Sequence, residues 1–97
     1  MPQNGVLVGL DVSGKRIDGH VLPGDIELSV GNDAAGHAEL RARLRDLGVS
    51  EAVCEASGGC ERAMAGVLRE AGLCVRVVDP RRVRAFATAA GRRAKMY

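Results

Sequence analysis

The chain opens on an alternation. Between Gly5 and Val12, the residues Val6, Val8, Leu10 and Val12 fall on one side of an extended segment, and Leu7, Gly9 and Asp11 on the other. Side chains alternate across a strand, and both sides here are largely apolar, which predicts a central strand covered on both faces. Ser13-Gly14-Lys15 reads as a tight turn, Arg16 to Leu22 as a second strand and Pro23-Gly24 as a second turn. In the next segment Ile26, Leu28 and Val30 alternate with Glu27 and Ser29, so a third strand turns one face to water. Connections this short predict an antiparallel meander.

The period then changes. Asn32-Asp33 offers side-chain acceptors for the free amides of a first helical turn. Leu40, Leu44 and Leu47 recur at helical spacing, while Arg41, Arg43, Arg45 and Asp46 lie off that line. Gly48 is placed to close the helix in the left-handed conformation. Ala52 to Ala56 reads as a short buried strand. Ser57-Gly58-Gly59 turns into a second helix with Met64, Val67, Leu68 and Ala71 on its buried face, closed by Gly72. Leu73 to Val78 is β-branched and predicts a further strand. Asp79-Pro80 starts a third helix, with Val83, Phe86, Ala87 and Ala90 as its apolar face and Gly91 at its end. The predicted order is β-β-β-α-β-α-β-α, an α/β chain forming one small domain over residues 1–97. A meander followed by βα units is the order of a ribonuclease H-like mixed sheet, and other α+β folds share it.

Composition narrows the partners. Hydrophobic residues at 46% and charged residues at 27% suit a soluble globular chain rather than a disordered one. One Phe, one Tyr and no Trp leave the core to Val, Leu and Ala and leave little for base-stacking platforms. No apolar run approaches a membrane span and no amino-terminal signal pattern is present, so a cytoplasmic location is expected. Cys54, Cys60 and Cys74 lack the spacing of a zinc knuckle and read as apolar filler; His20 and His37 read as surface residues. The net charge of +2 conceals an asymmetry. Residues 1–80 carry twelve acidic and eight basic side chains, whereas residues 81–97 carry six basic and no acidic ones. One strongly basic end points to polyanions, and nucleic acid is the common polyanion of a cytoplasm.

Asp11 lies near the end of the first strand and Glu55 near the end of the fourth. If those strands are adjacent and parallel, both carboxylates emerge at one sheet edge, where ligands of open α/β sheets gather. Clustered carboxylates repel each other and are reconciled by Mg²⁺ or Mn²⁺, which prefer oxygen ligands and polarise phosphodiesters. The competing reading has Asp11 capping the turn at Ser13 or Gly14 and Glu55 pointing to solvent. Ser57, Gly58 and Gly59 could offer helix-start amides to a phosphate, or form a plain connection. Arg81, Arg82, Arg84, Arg92, Arg93 and Lys95 are candidates for phosphate contacts that give affinity without sequence choice. The turn Asp11-Val12-Ser13-Gly14-Lys15 also bears a loose likeness to the first phosphate loop of actin-like phosphotransferases, with no second loop to complete it.

The strings VGLDVSGKRIDGHVL, NDAAGHAELRARL, VCEASGGCERAMAGVLREAGL and VVDPRRVRAFATAAGRRAK, taken together, resemble the amino-terminal domain of DEDD-motif insertion-sequence transposases. These are relatives of the Piv invertase with a RuvC-like, RNase H-like catalytic domain, and the resemblance spans essentially the whole chain. It implies that Asp11 and Glu55 are the first two members of an acidic metal-binding tetrad, with Mg²⁺ or Mn²⁺ as cofactor. It further implies DNA as substrate, a structured guide RNA as partner, and a nucleoid-associated protein when bound to DNA. The family's last two aspartates and its serine-bearing second half have no counterpart after Gly91–Lys95. The expectation is therefore an amino-terminal fragment, inactive as an isolated chain and prone to form a homo-oligomer. A non-catalytic nucleic-acid-binding fragment is the alternative.

Overall fold

In the computed structural model, residues 5–79 are described. They form β1 (Val6–Val12), β2 (Arg16–Leu22), β3 (Ile26–Gly31), α1 (Ala34–Asp46), β4 (Val49–Glu55), α2 (Arg62–Glu70) and β5 (Cys74–Val78). The expected third helix, from Asp79-Pro80 to Gly91, lies outside the described residues.

The strands make one mixed sheet in the order β3-β2-β1-β4-β5. β1, β2 and β3 pair antiparallel as a meander; β1 and β4, and β4 and β5, pair parallel. Short turns suffice for the antiparallel pairs. The parallel pairs need crossovers, which α1 and α2 supply.

Both helices lie on one face. Val8, Leu10, Val12, Ile17, Val21, Leu28, Val30, Ala52, Cys54 and Val75 point to that face and enclose Leu40, Leu44, Met64, Ala65 and Leu68 in one core. Burying one such aliphatic side chain is worth about 1.5–3 kcal/mol. α1 is capped as its sequence specifies: the Asp33 side chain accepts from the Gly36 amide at 2.7 Å, and Gly48 follows the helix at φ +73°. Gly72, at φ +95°, ends α2 in the same way.

β1 is central, and among the described residues one of its faces is covered, with Gly9 and Asp11 exposed on the other. Two expectations need correction. In α2 the buried set is Met64, Ala65 and Leu68, with Val67 half-buried and Ala71 exposed. The stripe is rotated toward α1, because the helix must meet both α1 and β5. His37, expected at the surface, is buried at 7% exposure.

Candidate functional site

The register lays out the uncovered face in rows. β2 residue Asp18 stands opposite Asp11 of β1 and opposite Ser29 of β3. On the other side of β1, the parallel pairing with β4 runs to Leu10 and Cys54. Both of those side chains are in the core, so Asp11 and Glu55, each one residue further on, share the uncovered face at the carboxyl ends of adjacent parallel strands. Glu55 in turn stands opposite Val78 of β5. The first row therefore reads Ser29, Asp18, Asp11, Glu55, Val78. The next reads Glu27, His20, Gly9, Val53, Arg76.

A concavity of about 440 Å³ opens at the strand ends and is lined by Leu10, Asp11, Val12, Glu55, Ala56 and Ser57. A second, of about 510 Å³, lies across β1, β2 and β3 and shares Asp11 with the first. Asp11 and Glu55, predicted as a pair from the sequence alone, are thus brought together.

The two readings of Asp11 part on the hydrogen bonds. Ser13 Oγ accepts from the Lys15 amide at 3.3 Å and the Arg16 amide at 3.0 Å, so the turn is capped by its own serine. Asp11 makes no hydrogen bond or ion pair among the described residues, and neither does Glu55. Both carboxylates are exposed and retain their full capacity to accept. Asp18, which the sequence did not single out, is engaged: its Oδ1 accepts from Ser29 Oγ at 2.7 Å, and Ser29 Oγ accepts from Arg16 Nη2 at 2.7 Å. Like charges directly opposite on neighbouring strands destabilise a sheet, and the Arg16-Ser29-Asp18 chain offsets this at Asp18. Among the described residues no group of three or more His, Cys, Asp or Glu is arranged to hold a metal ion.

The loop after β4 is internally satisfied. Glu61 Oε1 accepts from the Ser57 amide at 3.0 Å and the Ser57 hydroxyl at 2.8 Å. These bonds, the backbone one first, hold the Glu61 carboxyl below its ordinary range. Of the two readings of this turn, a phosphate contact or a plain connection, the Ser57 donors follow the second: they meet a protein carboxylate. Gly58 and Gly59 adopt φ +70° and +100°, which accounts for two glycines in this turn.

One side chain ties the strand ends together. Asn32 Nδ2 donates to the Ser13 carbonyl at 2.7 Å and to the Cys60 carbonyl at 3.0 Å, so it links the β1–β2 turn to the loop preceding α2. With both amide protons committed, Asn32 Oδ1 is the acceptor toward His37 Nε2 at 2.7 Å, and that ring nitrogen carries a proton. Sequence reasoning took Asn32 for a helix start; its long-range bonds have no local signal. Of the three cysteines read as filler, Cys54 is buried and Cys60 half-buried, whereas Cys74 is exposed at the start of β5 and fills no core. Burial, then the Glu61 charge, raises the Cys54 thiol pKa. Arg81, Arg82, Arg84, Arg92, Arg93 and Lys95 lie outside the described residues.

No protein-family model matches the chain, and no curated protein matches it. Among solved structures, the chain is similar to T. thermophilus RuvC in complex with a Holliday junction substrate. The TM-score is 0.60 and the identity 14%, over 84% of this chain and 68% of that one. At that identity the likeness is one of fold: five mixed strands with two helices on one face form an RNase H-like α/β arrangement similar to that of RuvC.

Proposed function

We propose that this chain is the amino-terminal, RuvC-like domain of a DNA-cutting transposase or site-specific recombinase of the DEDD type. The observation that carries this reading is the pair of carboxylates, Asp11 and Glu55, without a partner among the described residues, at the carboxyl ends of adjacent parallel strands in an RNase H-like sheet. Two exposed oxygen donors suit a hard divalent cation, Mg²⁺ or Mn²⁺, and the concavity beside them leaves room for it. Such an ion, when bound, polarises a phosphodiester and stabilises an attacking or leaving oxygen. Asp11 and Glu55 would hold it; two ligands give weak affinity, because charge count and ligand number set it. DNA is the proposed substrate, in keeping with the junction DNA in the RuvC complex. Arg81, Arg82, Arg84, Arg92, Arg93 and Lys95 are proposed to contact phosphates. A structured guide RNA, a homo-oligomer and a cytoplasmic, nucleoid-associated location complete the reading. Among the described residues no helix is long and apolar enough to cross a membrane.

A non-catalytic, nucleic-acid-binding role is the second reading. It is favoured by the lack, among the described residues, of a third free carboxylate beside Asp11 and Glu55. Titration of the chain with Mn²⁺, followed by paramagnetic broadening of amide signals, separates the two. Broadening centred on residues 10–12 and 54–56, abolished by Asp11→Asn without loss of fold, is the expected result. Uniform broadening, or an unchanged response in the variant, would remove Asp11 from any metal site.

A further inference from the structure

We propose that Asn32 is a positioning residue for the candidate site. By bridging the loops that follow β1 and β4 it sets the gap between Asp11 and Glu55, and His37 holds its amide in the bridging orientation. This deepens the metal reading and rests on it for the ligand; the gap itself is readable without metal.

The strand ladder does not set that gap. The parallel pairing of β1 with β4 ends at Leu10 and Cys54, one residue short of each carboxylate. Among the described residues, the next hydrogen bonds joining the two segments run through Asn32. Its Nδ2 donates to the Ser13 carbonyl at 2.7 Å and to the Cys60 carbonyl at 3.0 Å. Asn32 is itself anchored: its backbone amide donates to the Lys15 carbonyl at 2.9 Å, and it stands between the end of β3 and the capped start of α1.

Both loops are tied internally, so the constraint reaches the carboxylates. On the β1 side, the Ser13 amide donates to the Arg16 carbonyl at 2.9 Å, and Ser13 Oγ accepts from the Arg16 amide at 3.0 Å. Asp11 lies two residues before this closed turn. On the β4 side, the Ala56 amide donates to the Val78 carbonyl at 2.9 Å and Ser57 is held by the Glu61 carboxylate. The Cys60 amide then donates to the Ser57 carbonyl at 3.3 Å. Glu55 is therefore joined to Cys60 through a run of fixed residues.

The direction of the Asn32 amide decides whether it bridges at all. The two carbonyls accept only from Nδ2; turned over, Oδ1 would face both of them and repel. His37 Nε2 donates to Oδ1 at 2.7 Å and excludes that orientation, and its ring is buried, away from competing water. Groups that orient metal ligands without touching the metal tune affinity by about 10–100-fold.

A Mn²⁺ titration of the full chain, read from the broadening of amides 10–12 and 54–56, tests this. Asn32→Ala is expected to raise the midpoint about tenfold. His37→Ala should give a smaller shift, and His37→Gln, whose side-chain amide donates in place of the ring, should restore the native midpoint. Val21→Ala, in the core at the end of β2 remote from the turn, lowers stability but should leave the midpoint unchanged. Equal midpoints in the native and Asn32→Ala chains, or the same shift in Val21→Ala, would overturn the proposal. A native chain with no focused response would end the metal reading instead, and amide exchange without metal then decides the positioning. Exchange at residues 13–16 and 57–62 that is faster in Asn32→Ala than in Val21→Ala upholds it, and equal exchange overturns it.

Discussion

Replacing Asn32 with Ala tests how the candidate site is held. The change removes two bonds from Nδ2, to the Ser13 and Cys60 carbonyls, and one at Oδ1, from His37. Each such bond contributes about 1 kcal/mol net, and stranding a buried partner costs about 1–3 kcal/mol. His37 is the partner most exposed to that penalty, being only 7% accessible, whereas the Ser13 carbonyl is at the surface and rehydrates. The sum is about 3 kcal/mol of lost stability. For a domain of this size that is a fall in Tm of roughly 10–20 °C. Urea unfolding with an unchanged slope reads the loss directly. His37→Ala should lose less than Asn32→Ala when corrected for the imidazole volume, because it leaves the two carbonyl bonds intact. A loss below about 1 kcal/mol in Asn32→Ala would refute the reasoning, because all three partners would then be satisfied by water at little cost.

Other perturbations give separable outcomes. Gly36→Ala places a Cβ against the backbone carbonyl of Gly31, where α1 passes the end of β3; neither backbone yields, and a loss of about 3 kcal/mol or more in thermal unfolding is expected. Glu61 has a folded-state pKa below its ordinary 4.5, so the unfolded chain binds its proton more readily. Its contribution is therefore complete above the ordinary carboxylate pKa and is lost as pH falls through the depressed one. Glu61→Gln should flatten that acid limb of the stability profile, and a limb unchanged in the variant would assign it to other carboxylates. Replacing Arg81, Arg82 and Arg84 together with Ala should weaken binding to any DNA or RNA about equally. The log–log salt slope should drop by roughly 3 in filter-binding assays, and a loss confined to one sequence would contradict phosphate contacts.

Much of the architecture was legible because local rules and tertiary demands agree. Ile26, Leu28 and Val30 alternate with polar partners, and β3 is indeed a one-sided strand at the sheet edge. Asp33 and Gly48 announce both ends of α1 through chemistry that acts within one turn. Asp11 and Glu55 were legible as a pair because each stands near the end of an apolar strand, and adjacent parallel strands bring such residues to one sheet edge. Other features depend on contacts between distant segments. Gly36 is an ordinary helix interior until β3 is laid beside it. Asp18 looks like an outward strand residue until the register sets it opposite Asp11. His37 reads as surface because α1 offers no sign that Asn32 will meet its ring.

The parallel pairing of β1 with β4 has a kinetic consequence. Between those strands the chain must complete a meander and a helix, so Asp11 and Glu55 meet only after a large loop has closed. Contacts that span so much sequence form late and slowly in folding, whereas the β1–β2 and β2–β3 hairpins form locally and early. The two carboxylates therefore become neighbours only in the finished sheet. Partly folded chains, such as those emerging during synthesis, present Asp11 beside Asp18 but without Glu55, and the paired site is a property of the completed fold alone.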